Sequence, residues 1–177
     1  MIISGVKERQ VTNMASRYFI ATTIVSGFPA IGKSFIAKKL PTIVRDLESS
    51  DFHWTLDGTG NKLPNPKWPE NYIESIKALD KSGMYRSVCV AAHQDIREKM
   101  AAAGIKYTNV FPENTPEMKK LILDRCRTRG NSQEFINNLD KNWDSYIESM
   151  ENDPGAAAIV KLTPETIEIW STWMVMG

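Results

Sequence analysis

Cysteine is scarce: Cys89 and Cys126 are the only two among 177 residues. That is too few for a disulfide scaffold, and the usage fits a reducing, cytoplasmic setting. Histidine is equally rare. His53 and His93 stand far apart with no cysteine pair beside them, which argues against a zinc site. Charge of one sign is missing too. Lys and Arg number 22 against 21 Asp and Glu, a formal net charge of +1, so no global field favours nucleic acid or a membrane surface. Only a local basic track over Lys119, Lys120, Arg125, Arg127 and Arg129 stays open. No apolar run approaches the roughly 18 residues of a membrane span. The apolar stretch nearest the start, Tyr18 to Ser26, lacks the cleavage pattern of a secretory signal. Repeats and low-complexity segments are absent. What is present is 42% hydrophobic and 24% charged, an ordinary globular composition, at a length that suits one domain.

Residues 1–14 are weakly patterned and read as an N-terminal extension, against a short edge element. From Phe19 to Ser26 the β-branched and apolar residues predict a buried strand. A short helix to Leu40 follows, stopped by Pro41. Thr42 to Val44 reads as a second strand that delivers Asp46-Leu47-Glu48. Glycine and proline punctuate residues 52–69, which read as a loop. Pro69 then opens a helix with Tyr72, Ile73, Ile76 and Leu79 at helical spacing. Ser87 to Ala92 is a third strand, residues 95–103 a helix ended by Gly104, and Tyr107 to Phe111 a fourth strand. Thr115-Pro116-Glu117 starts a helix that runs to about Arg129. Ser132 caps one long helix whose stripe extends from Phe135 to Met150. A fifth strand spans 157–162, and Thr163-Pro164-Glu165 starts a final short helix. The alternation predicts an α/β fold with a parallel sheet covered on both faces.

Gly27-Phe28-Pro29-Ala30-Ile31-Gly32-Lys33-Ser34 matches the phosphate-binding pattern G-x-x-x-x-G-K-[ST]. It lies between a predicted strand and a predicted helix, the context the pattern requires. Glycines let backbone N–H groups approach phosphate oxygens, and the helix start points the same way. Candidate ATP-binding residues are therefore Gly27, Ala30, Ile31, Gly32, Lys33, Ser34 and Phe35, with Lys33 reaching the β- and γ-phosphates and Ser34 ligating Mg²⁺. The third strand ends without a carboxylate, which favours a small phosphotransferase over a motor ATPase. Asp46 and Glu48 stand just past the second strand, on one side of an extended segment. One is suited to Mg²⁺, through water, and the other to an acceptor proton; the competing reading is an acidic turn capping a helix with Ser49 or Ser50. Arg125 and Arg129 share a helical face and suit charge on a moving phosphoryl group, against a solvated basic helix end. His93 ends a strand near the cleft and is either a substrate contact or a structural histidine. Trp54, Trp68 and Tyr72 are candidates for stacking on a base, against local packing.

These motifs, with Asn65-Pro66-Lys67-Trp68-Pro69-Glu70-Asn71-Tyr72-Ile73, Arg125-Cys126-Arg127-Thr128-Arg129-Gly130 and Asn142-Trp143-Asp144, resemble the small P-loop kinases of bacteriophage and mobile-element genomes, which are adenylate-kinase-like. The resemblance covers about residues 18–150. It implies the nucleoside-monophosphate-kinase fold: three layers, a five-stranded parallel sheet, an acceptor-binding insert at 52–82 and an arginine-bearing lid at 112–135. It implies ATP and Mg²⁺ as cofactors, Ser34 and Asp46 at the metal, and Lys33, Asp46, Glu48, Arg125 and Arg129 in catalysis. Glu48 departs from the aspartate usual at that place. The implied acceptor is a nucleoside or deoxynucleoside monophosphate. A second group of phage kinases, similar at this level, phosphorylates a hydroxymethylated pyrimidine such as 5-hydroxymethyluracil in DNA, and a carboxylate would then serve as base. A nucleotide-binding module without turnover is the third reading. The expected location is the cytoplasm of a host cell, with no membrane partner.

Overall fold

The computed structural model describes residues 21–168 and 170. The predicted extension at 1–14 and the first residues of the predicted first strand lie outside the described residues. Strand β1, Thr23–Gly27, forms from the β-branched run, and helix α1, Lys33–Lys39, follows it. Strand β2 is Val44–Asp46, starting two residues later than the sequence predicts. The cause is a turn: the Leu40 carbonyl accepts the N–H groups of both Ile43 and Val44.

Helix α2, Ser50–His53, and the antiparallel strands β3, Trp54–Leu56, and β4, Lys62–Pro64, occupy most of the stretch read as a loop. Asp57 builds the hairpin turn, its Oδ1 accepting from the N–H groups of Thr59 and Asn61 at 2.8 and 2.9 Å. Helix α3, Glu70–Ser82, strand β5, Ser87–Ala91, helix α4, Gln94–Ala102, and strand β6, Tyr107–Pro112, follow as expected. In helix α5, Pro116–Thr128, the Thr115 hydroxyl accepts from the Met118 N–H. The predicted single helix after Ser132 is two, α6, Gln133–Lys141, and α7, Trp143–Glu151. At the break, the Asn142 side chain donates to the Asn138 carbonyl at 2.9 Å, a local bond that competes with helical pairing. Strand β7 is Ala158–Leu162.

The five-stranded sheet runs β2-β5-β1-β6-β7, and every neighbouring pair is parallel. Gly27 at the end of β1 stands beside Ala91 and Val110, and Asp46 beside Cys89, so these carboxyl ends align. The chain leaves β1 for β2 on one side and later crosses to β6 on the other. That reversal opens a crevice at the end of β1.

Side-chain alternation along the strands divides the core. Val25, Cys89 and Val110 pack with α1 and α5–α7, while Ile24, Val88 and Val90 pack with α3 and α4. Helices thus cover both faces. Phe28 and Trp143, each 1% exposed, meet edge to face at 5.3 Å. Helix α5 buries Met118, Ile122, Leu123 and Cys126, and α3 buries Tyr72 and Ile76, so both belong to the layers around the sheet. No helix among the described residues is long and apolar enough to cross a membrane.

Candidate functional site

The loop from β1 to α1 sits at the crevice. Its Phe28 N–H donates to the Val110 carbonyl at 2.9 Å, and its Phe28 and Ile31 side chains are buried. Ala30 (φ 59°) and Gly32 (φ 107°) are both left-handed, which curls the backbone.

The hydrogen bonds of this loop are one-sided. Its carbonyls are occupied: Lys33 Nζ donates to Gly27 and Phe28 at 2.6 and 3.0 Å, Arg125 Nη1 to Ala30 at 3.4 Å, and Trp170 Nε1 to Ile31 at 2.5 Å. None of the N–H groups of Ala30, Ile31, Gly32, Lys33 and Ser34 has an acceptor among the described residues. A run of spare amides on a curled loop is a cradle for anionic oxygens. Gly27 is required by the close approach of Lys33: a Cβ there would lie 2.6 Å from Lys33 Cδ.

Ser34, in the first turn of α1, donates to Asp46 Oδ2 at 2.6 Å, and Glu48 Oε1 lies 3.1 Å from the same hydroxyl. The two carboxylates expected on one side of the chain therefore meet one hydroxyl. They do not cap α2, whose N-terminal residue Ser49 makes no capping bond. Burial pushes the Asp46 carboxyl above its usual range, against the Ser34 hydrogen bond and Lys33, and Glu48 adds to the rise. Burial likewise lowers Lys33, while Asp46 and Glu48 oppose that shift. Cys89, beneath the pair, is buried, and its thiol is pushed up to about 12.

Above the loop lies a cavity of about 1230 Å³. Gly27, Ala30, Ile31, Gly32, Lys33, Ser34, Phe35, Asp46, Glu48, His93, Arg125 and Arg129 all line it. Arg125 also pairs with Glu168, in the turn after β7. Arg129 is exposed and has no ion-pair partner among the described residues. Arg127 turns away to Asp124 at 2.6 Å. His93 precedes α4, and desolvation lowers its pKa, with Asp95 opposing and Lys33 and His53 assisting.

The aromatic candidates do not join them. Tyr72 is wholly buried, and its hydroxyl donates to the Leu47 carbonyl at 2.7 Å and accepts from the Ala91 N–H at 3.0 Å. It ties the ends of β2 and β5 together and offers no face to a ligand. Trp68 stacks between His53 and Tyr72, at 4.9 and 5.5 Å. Trp54 lies on the hairpin against His53 at 4.7 Å, and neither tryptophan lines the cavity. In their place stand residues that the sequence reading missed: Phe135, Asn138, Tyr146 and Ser149 from α6 and α7, and Glu168 and Trp170 from the segment after β7. Phe135 and Tyr146 are 37% and 40% exposed, at the edge of a stripe read as core. Only that marginal position could have marked them.

Neither a protein-family model nor a curated protein matches this chain.

Proposed function

We propose that the protein is an ATP- and Mg²⁺-dependent phosphotransferase of the P-loop kinase type, acting on an acceptor of the nucleoside or nucleotide class. The observation that carries this reading is the polarity of the 27–34 loop, with tied carbonyls and spare amides, next to a hydroxyl shared by two carboxylates.

Both cofactors suit the residues present. The N–H groups of Ala30 to Ser34, unpaired among the described residues, match a triphosphate tail. Ser34, Asp46 and Glu48 form an all-oxygen donor set, which is the chemistry a hard dication selects. Ser34 and Asp46 would hold the metal. When bound, Mg²⁺ supplies positive charge to the β- and γ-phosphate oxygens.

The chain's own groups do the rest. The loop amides orient the tail. Lys33, released from the carbonyls it now meets, and Arg129 neutralise charge on the transferring group. Arg125, held between Glu168 and the Ala30 carbonyl, braces the loop from the cavity wall. Glu48 would take a proton from, or orient, the attacking group.

The basic track considered for DNA is largely neutralised. Lys119 pairs with Asp140, Lys120 and Arg127 with Asp124, and Arg125 with Glu168. A binding module without turnover would use the carboxylates at Ser34 to hold the metal alone. Transfer of labelled γ-phosphate to a panel of nucleosides, nucleotides and hydroxymethylated DNA tests the reading. Label on a small acceptor is expected. Label on DNA alone favours the polymer reading, and ATP binding without transfer to any acceptor favours the module.

A further inference from the structure

We infer that the acceptor end of the cavity takes a neutral, hydroxyl-bearing ring of the nucleoside class, seated on α6 and α7, and not an acceptor that carries its own phosphate. This rests on the nucleotide-binding role proposed for the 27–34 loop.

The cavity has two chemically different ends. The loop end holds Lys33, Lys38, Arg125 and Arg129. Away from the loop the wall is Gln94, Phe135, Asn138, Ser145, Tyr146 and Ser149, tied together by bonds from Arg97 to Ser149 and from Asn138 to Tyr146, and the carboxylates at Ser34 line the same cavity. Two partly exposed aromatic rings among neutral amides and hydroxyls suit a planar ring with polar edges. Tyr146 Oη accepts from Asn138 Nδ2 at 3.1 Å, so its own proton is available to a ligand. Asn131, also on the cavity wall, keeps a buried Oδ1 with no donor among the described residues.

A phosphorylated acceptor needs a cation at this end, and none is free among the described residues. Arg97 is the one cation there. It is 3% exposed and already donates to the carbonyls of Ala92 and Ser149, to the Ser149 hydroxyl and to Asp153. Arg129 is needed where the γ-phosphoryl group moves. A second phosphate would share the cavity with Asp46 and Glu48, and like charges in a partly desolvated cleft repel.

A neutral hydroxyl meets no such barrier. In the step that follows, the acceptor O–H bond breaks and its oxygen forms a bond to the γ-phosphorus. The bond from that phosphorus to the β–γ bridging oxygen breaks, and the nucleoside diphosphate leaves with the electron pair. The proton passes to a carboxylate of the Asp46–Glu48 pair. The products are a phosphomonoester and a diphosphate.

The test uses the full chain. Nucleosides and their 5′-monophosphates are titrated calorimetrically, with and without MgADP, and products formed with MgATP are read by phosphorus NMR. At least one nucleoside should bind and give a phosphomonoester. Phe135→Ala and Tyr146→Ala, at partly exposed sites that should fold, should each weaken that binding about 10-fold, the scale of a lost ring stack. Thermal melts confirm folding, and Tyr146→Phe should retain the stacking part. Conversion of a monophosphate to a diphosphate overturns the inference and leaves the kinase reading standing. So does nucleoside affinity unchanged in both alanine variants. Failure of ATP to bind removes the kinase reading, while the nucleoside titration still decides whether α6 and α7 hold a neutral ring.

Discussion

The Ser34 hydroxyl and the Asp46 carboxylate meet at 2.6 Å, joining the first turn of α1 to the last residue of β2. A hydroxyl has one proton to give. Glu48, at 3.1 Å, therefore faces both the same hydroxyl and a like charge. Two carboxylates in that position are a poor arrangement for the metal-free fold and a good one for a dication.

Asp46→Asn should expose that conflict. The Asp46 carboxyl titrates above its ordinary 3.8, chiefly through burial. The folded chain thus binds this proton more tightly than the unfolded chain, and the Asp46 contribution to stability falls as pH rises past about 4. In chelator at pH 7 the variant should melt above the wild type, with the gain shrinking below pH 4. It should also lose the Mg²⁺-dependent part of ATP binding and slow transfer by about 10²–10³-fold, the scale of losing one organised electrostatic group. Melting curves across pH and ATP titrations at two Mg²⁺ levels check both parts. An unchanged Mg²⁺ response removes Asp46 from the metal.

Gly27→Ala tests the loop's shape without touching its charge. The added Cβ would stand 2.6 Å from Lys33 Cδ and 3.2 Å from Ile31 Cδ1. Relief requires Lys33 to leave the Gly27 and Phe28 carbonyls. Destabilisation of about 1–3 kcal/mol is expected, as for other overpacked sites, together with at least a 10-fold loss of ATP affinity. Denaturant unfolding and calorimetry separate the two effects.

Much of this was legible in the sequence because local signals agreed with the fold. The run from Thr23 to Gly27, the glycines and Lys33 of the loop, Thr115 as a cap and Gly104 as a stop each act within a few residues of themselves. Asp46 and Glu48 were readable because alternation alone puts them on one side. Partners set by tertiary packing were not readable. Tyr72 has the spacing of a core helix residue, and only the fold shows its hydroxyl clasping Leu47 and Ala91. The hairpin hides in polar residues because its turn depends on one aspartate. The break at Asn142 turns on a side chain that bonds its own helix. The contacts of Glu168 and Trp170 with the loop join parts of the chain far apart in sequence, and no periodicity reports them.

Asp153→Ala should be the costliest change away from the site. Asp153 pairs with Arg97 at 2.5 Å, with side-chain exposures of 8% and 3%, and accepts from Asn109 and Tyr107. Its loss leaves a buried guanidinium without its counter-charge. A destabilisation of about 3–5 kcal/mol is expected, measured by urea unfolding. A change below about 1 kcal/mol would show that water replaces the carboxylate.

Acid should loosen the hairpin turn. Asp57 is held at about 2 by the Thr59 hydroxyl and by the N–H groups of Asn61 and Thr59. Its folded value lies below its ordinary 3.8, so its contribution is present above about pH 4 and fades as pH falls toward 2. Amide signals of Thr59 and Asn61 should shift over that window in the wild type and be perturbed already at pH 7 in Asp57→Ala.

The most direct measurement is calorimetric titration of ATP, with and without Mg²⁺, into the wild type and Lys33→Ala. Saturable binding strengthened by Mg²⁺ is expected in the wild type, with at least a 10-fold loss in a variant that keeps its circular dichroism spectrum. No binding at millimolar ATP with Mg²⁺, or equal affinity in the two proteins, would contradict a triphosphate cradle at residues 27–34.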